Sequence, residues 1–139
     1  MANLPPSAAI CGRISMLNKL TTLLIVDAIE MQLPSWEKLG YQVTIRVPEA
    51  GPAGFVILTG PAGELMLQTR ASLQDDLPDV LKRGPSFLLY GDVASIAQAK
   101  QTLPDATVII AQRKTPYGAT EAWLELPGGT ILGLSQHSK

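Results

Sequence analysis

The stretch from Leu23 to Tyr41, LLIVDAIEMQLPSWEKLGY, decides the fold. Its first residues close an apolar run from Leu20 to Val26, which fits a strand covered on both faces. Asp27 follows and is placed to cap a helix. Ile29, Leu33, Trp36 and Leu39 then recur at spacings of four and three, one side of a helix facing a core. Pro34 lacks a backbone donor, so the helix starts late or kinks there. Gly40 is a natural stop.

Downstream, Tyr41, Val43, Ile45 and Val47 alternate with Gln42, Thr44 and Arg46, the pattern of a half-buried strand. A Gly/Pro-rich turn leads to a strand over Phe55 to Thr59, a hairpin signal at 60–63 and a strand over Glu64 to Gln68. Thr69 to Gly84 reads as a polar connector with a helical turn. The pattern then restarts. Phe87 to Tyr90 is a strand and Asp92 a cap, and Val93, Ile96, Ala97, Lys100 and Leu103 keep helical spacing. Strands follow over Val108 to Ala111, Ala119 to Leu126 and Thr130 to Ser135, with a tight turn at 127–129. Each half is thus strand, helix and three strands. Val26-Asp27 matches Gly91-Asp92, and Gly63-Glu64 matches Gly129-Thr130, at a constant offset of about 65 residues that marks a structural repeat.

Upstream, Ile14, Leu17 and Leu20 share a helical spacing. The expected division is an arm or short helix over 1–19, a first module over 20–69, a connector over 70–84 and a second module over 85–139, in one domain. Of the 139 residues, 46% are hydrophobic and 17% charged, enough apolar material for a core. A net charge of −1 argues against nucleic acid as a partner, and no apolar run has the length of a membrane helix. A lone Cys11 forms no intrachain disulfide and has no His or Asp beside it to make it a catalytic thiol. With a start, MANLPPSAAICGR, that lacks a basic-then-apolar leader, the expectation is a cytoplasmic protein. The sequence contains no GxGxxG, P-loop, GxSxG or CxxC motif.

Three stretches carry a family resemblance: VDAIEMQLPSWEKLGY, GFVILTGPAGELMLQ and TPYGATEAWLELPGGTILGLSQ. In this order and spacing the chain resembles the vicinal oxygen chelate superfamily, the glyoxalase / bleomycin-resistance / dioxygenase fold, over Leu20 to Gln136. The resemblance implies an α+β fold of two βαβββ modules forming a curled mixed sheet around a cleft, with helices outside. Metal-dependent members hold one divalent ion with His and carboxylate ligands from the modules' first and last strands. In this chain those positions fall near Thr21, near Pro85, on or beside Gln68, and at Gly133. Thr, Pro, Gly and Gln do not replace imidazoles and carboxylates, and His137 is the only histidine, in the C-terminal tail. No metal and no cofactor are therefore expected.

Gln68, at a strand end near the implied cleft, is a candidate ligand contact, whereas Arg70 reads as a solvated strand end. Tyr117, Glu121, Trp123 and Glu125 form the other candidate group, because alternation puts Glu121, Trp123 and Glu125 on one strand face. They suggest a cleft wall with an aromatic platform and two carboxylates, Glu121 and Glu125, as weak general-base candidates. The bland alternative is a solvated strand face. Trp36 reads as a core anchor, Glu64 as a surface charge and Asp75-Asp76 as a solvated turn. The leading expectation is a metal-free binding protein that holds a small organic ligand between the modules. The alternative is a lyase, isomerase or dioxygenase of the same superfamily. A homodimer is expected, since the sheet edges are otherwise exposed.

Overall fold

The computed structural model describes residues 16–137. The expectations for Ile14 and Cys11 lie outside the described residues. The first half comprises β1 (Leu17–Val26), α1 (Leu33–Lys38), β2 (Gln42–Val47), β3 (Phe55–Gly60) and β4 (Gly63–Thr69). Two short helices, α2 (Arg70–Asp76) and α3 (Pro78–Leu81), lead to the second half. That half is β5 (Phe87–Val93), α4 (Ile96–Thr102), β6 (Thr107–Lys114), β7 (Ala119–Glu125) and β8 (Ile131–His137).

The strands form one open, mixed sheet of eight in the order β2-β3-β4-β1-β5-β8-β7-β6. The two halves meet where β1 pairs antiparallel with β5, Leu23 opposite Leu88. On either side of this seam the first strand of each half pairs parallel with its last. Thr22 faces Leu65 and Leu89 faces Leu132, the same separation along the chain in both. The repeat read from the sequence is therefore a repeat of strand register.

Alternation divides the sheet into two faces. On the outer face, Leu24, Val26, Val56, Leu58 and Leu67 pack with Ile29, Leu33 and Trp36 around α1. In the second half, Val93, Ala122, Leu124, Leu132 and Leu134 pack with Ile96 and Ala99 of α4. On the inner face, Leu23, Ile25, Leu88, Trp123 and Ile131 are buried with Leu73, Leu77 and Val80 of the connector. The connector is thus part of the core. Its many charges hide three apolar residues at spacings of four and three, which place one stripe on the sheet.

Several local expectations are corrected. β1 takes in Leu17 to Lys19, assigned from the sequence to an arm or short helix. The first helix does start late, with Pro34 in its first turn, so Asp27 lies too far upstream to cap it and instead pairs with Arg70 at 3.3 Å. Leu39 is 63% exposed. It follows the last helical turn, where Gly40 takes φ 97° and directs the chain away. Asp92 lies within β5, and the cap of α4 is Ser95, whose hydroxyl accepts from Gln98 N at 3.1 Å. His137 is the last residue of β8, its Nε2 3.8 Å from Asp92 Oδ1.

The largest departure is in β2. Val43 lies opposite Leu58, but Ile45 lies opposite Ile57, so Thr44 is an extra residue, a β-bulge. The bulge shifts the alternation by one, leaving Val43 on the outer face and turning Ile45 and Val47 to the inner one. There they are 49% and 54% exposed. Thr44 Oγ1 donates to Ile57 O at 3.3 Å and contacts Thr59 Oγ1 at 3.0 Å, which holds the bulge in place.

Candidate functional site

The inner face of the second half is built around Glu121. The residue belongs to β7 and pairs across the sheet with Arg113 of β6 and Ser135 of β8. The residue is 1% exposed. Oε1 accepts from Arg113 Nε at 3.0 Å, Arg113 Nη2 at 2.9 Å and Trp123 Nε1 at 3.2 Å. Oε2 accepts from the hydroxyls of Tyr90 and, at 2.7 Å, Tyr117. An ionised carboxylate offers about four lone-pair sites, and here donors take them all. Arg113 continues outward to Asp76 at the end of α2, with Nη1 2.9 Å from Oδ1 and Nη2 3.2 Å from Oδ2. Asp76, expected to be a solvated turn residue, thus ties the connector to β6.

The electrostatics follow from this packing. Burial pushes the Tyr90 phenol well above its ordinary pKa, and hydrogen bonding to Glu121 pushes it further. Tyr117 is raised in the same direction, first by burial of its hydroxyl end. Burial opposes the charge on Arg113, but hydrogen bonds to Asp76 and Glu121 outweigh it and raise the pKa. The cluster is one carboxylate, one guanidinium and two neutral phenols. Ser135 Oγ lies beside Tyr90, fully buried and without a hydrogen bond of ordinary geometry.

The candidates from the sequence fare differently. Tyr117, Glu121 and Trp123 come together, but with Trp123 only 2% exposed and Glu121 enclosed, they form a packed wall rather than an open platform. Glu125 lies at the far end of β7, in an ion pair with Arg83. Gln68 is 7% exposed, and its amide donates to Ser72 Oγ at 3.0 Å. It sits opposite Ile25 and Phe55, away from the Glu121 cluster. Tyr90, Arg113 and Asp76 were not singled out from the sequence. A hairpin register counted back from the Tyr117-Gly118 turn would have set Arg113 opposite Glu121.

The positions where the resemblance implies metal ligands do not fit a divalent ion. Thr21 and Gly133 share a row through Tyr90, but Gln68 is four residues further along, beside Ile25. Pro85 precedes β5 and is not part of it. At Gly133 a Cβ would come within 2.6 Å of the Trp123 ring, so the indole fills the space a carboxylate there would need. Among the described residues, no group of three or more His, Cys, Asp or Glu could hold a metal.

An open concavity also lies on the inner face and reaches Asp76, the partner of Arg113. It is a groove of about 660 Å³ between the β2–β3 loop and α2. Val47, Pro48, Phe55 and Ala71 give it apolar walls, and Asp75 and Asp76 lie along its rim. Ser72, which holds Gln68, is also part of its lining. Among the described residues, no helix is long and apolar enough to cross a membrane.

No protein-family model matches the chain, and no curated protein matches it either. Solved structures do. A glyoxalase/bleomycin resistance protein/dioxygenase superfamily member from Vibrio splendidus superposes with a TM-score of 0.64 at 19% identity, over 85% of this chain and 97% of its own. A methylmalonyl-CoA epimerase from Mycobacterium tuberculosis gives 0.63 at 16% identity, over 91% and 93%. A hypothetical protein from Bacillus halodurans gives 0.65 at 19% identity, over 87% and 95%. Strand order, paired module registers and these superpositions agree: the chain has the vicinal oxygen chelate fold of the glyoxalase/bleomycin resistance protein/dioxygenase superfamily.

Proposed function

We propose that this chain is a cytoplasmic, metal-free capture protein that binds a small organic molecule in the groove between the β2–β3 loop and α2. The observation that carries this reading is the state of Glu121. A general base must accept a proton from substrate, and this carboxylate already accepts from Tyr90, Tyr117, Arg113 and Trp123. The acid–base form of an enzyme would have to strip donors from a buried charge, which costs several kcal/mol on the order of a broken buried ion pair. The groove offers apolar walls with a few polar groups, the usual make-up of a small-molecule site. Gln68 stands behind this site rather than in its lining: its amide donates to Ser72 Oγ, and Ser72 lines the groove.

Thermal-shift screening of a panel of cationic, neutral and anionic aromatic compounds tests this. A ligand that binds only the folded state raises the melting temperature. The expected result is a stabilising compound whose effect disappears in Ala71→Trp, which fills the groove, and persists in Val108→Lys on the far edge of the sheet. A panel without a binder, or binding untouched by Ala71→Trp, overturns the reading. So does turnover that appears on adding a divalent ion.

A further inference from the structure

We infer that Glu30 and Arg46 are positioning residues for the groove: together they latch the β2–β3 loop in the shape that a ligand meets. This rests on the capture reading above and names the groups that keep its site formed. The loop supplies one wall of the groove through Pro48, Pro52, Ala53 and Gly54. Backbone bonds secure its base. Gly54 N–H donates to Val47 O at 2.8 Å, and Gly54 O accepts from Thr69 N–H at 2.9 Å, which joins the base to the start of α2. Above the base, two side chains do the holding. Arg46 donates from Nη1 to Pro48 O at 2.8 Å and from Nη2 to Gly51 O at 2.5 Å. Glu30 Oε2 accepts from Ala53 N–H at 2.8 Å and from Arg46 Nη2 at 3.4 Å. One guanidinium and one carboxylate thus grip the loop at three points. The anchor is firm, because Glu30 follows Ile29, which is fully buried in the outer core.

The bulge at Thr44 decides from which side the latch acts. It turns Ile45 and Val47 to the inner face, so Arg46 between them leaves on the outer one. Val47 lines the groove and Arg46 grips the loop from behind it. The groove has little tolerance for movement of this wall. A Cβ at Gly54 would lie 3.2 Å from Ser72 Cβ and 3.3 Å from Ser72 Oγ, so loop and α2 meet there with no room to spare. A loop that samples other shapes is competent to bind for only part of the time, and its apparent affinity falls by that fraction. The ion pair itself is partly exposed, 33% at Arg46 and 47% at Glu30, and contributes little alone. What the latch adds is partners for backbone groups, above all the N–H of Ala53, a residue only 4% exposed. Gln at position 30 keeps an acceptor for that N–H, and Ala does not.

Hydrogen exchange of the full chain reads the loop without any ligand. The amides of Gly54 and Thr69 suit it, since both donate to backbone carbonyls and not to the latch. In Glu30→Ala and in Arg46→Met their exchange should quicken by about tenfold or more, and in Glu30→Gln by much less. Affinity for the strongest stabiliser in the aromatic panel should fall in the same order, by about tenfold in Glu30→Ala. Ser95→Ala removes the α4 cap in the other half and lowers stability there, and should leave loop exchange and affinity unchanged. Exchange that stays slow in both Glu30→Ala and Arg46→Met overturns the inference. So does an affinity indifferent to a loosened loop, or one lowered as much by Ser95→Ala. A panel without a binder overturns the capture reading and the latch's role in it together, a result told apart from an unloosened loop because exchange is measured without ligand.

Discussion

Gly133→Ala is a small change with a large expected effect. The added methyl carbon would lie 2.6–2.7 Å from Cη2, Cζ2 and Cζ3 of Trp123, where carbon atoms normally keep about 3.5–4.0 Å. The ring must therefore retreat by about 1 Å. It is 2% exposed, its Nε1 is bonded to Glu121 at 3.2 Å, and the Tyr90 ring lies beside it at a centroid distance of 5.9 Å. Overpacking of this kind costs about 1–3 kcal/mol. Against it stands the gain from stiffening the unfolded chain when Gly becomes Ala, about 0.4–1 kcal/mol. The clash wins, leaving a net loss of about 1–2 kcal/mol, or a melting temperature lower by roughly 4–8 °C for a chain of this size. Urea unfolding of the wild type and the variant measures it. The same substitution in a Trp123→Leu background isolates the cause: with the indole gone the penalty should vanish, a coupling of about 1–2 kcal/mol. A Gly133→Ala protein as stable as the wild type, or a penalty unchanged without the indole, would refute the claim that Trp123 occupies the Gly133 site.

Three further predictions concern the Glu121 network and, in the first half, Glu30. Glu121→Gln removes the charge that four side chains are arranged to meet, and should cost about 3 kcal/mol in urea unfolding. Tyr90 and Tyr117 have raised folded pKa values, so the folded state holds their protons more tightly than the unfolded chain does. Their contribution to stability is complete below the unfolded phenol value of about 10 and is lost as pH rises above it. In Tyr90→Phe with Tyr117→Phe, the alkaline loss of stability should therefore be smaller than in the wild type. Glu30 behaves oppositely: its carboxyl is held below the usual glutamate value, first by the Ala53 N–H at 2.8 Å. The stability it adds is present above the ordinary carboxylate pKa and lost as pH falls through the lowered one, so the gap in melting temperature between wild type and Glu30→Gln should narrow in acid.

The order of elements was legible because it rests on periodicity and repetition. The runs around Leu23, Tyr41, Phe55, Phe87 and Ala119 all became strands, and the order of strand, helix and three strands recurs in the second half. What escaped the sequence depended on register. One extra residue at Thr44 inverted half a strand without altering its alternating pattern. Asp27 and Asp92 looked like caps because caps are judged from sequence neighbours, while the helices start several residues later. The connector looked polar because its three core residues are spread among charges. The function of Glu121 was the least legible, since a carboxylate facing a cleft and one facing four donors read the same in sequence. Only the cross-strand position of Arg113 and the arrival of Tyr90 from β5 separate the two.

The connector that threads Leu73, Leu77 and Val80 under the sheet also limits how this chain can evolve. Two similar halves joined by a slack tether can trade places between neighbouring molecules at little cost. Here the tether is nailed to the floor of its own molecule, and prising it loose would expose three aliphatic side chains, a loss of about 1.5–3 kcal/mol each. Drawing the two halves apart therefore carries a cost that a slack tether would not impose.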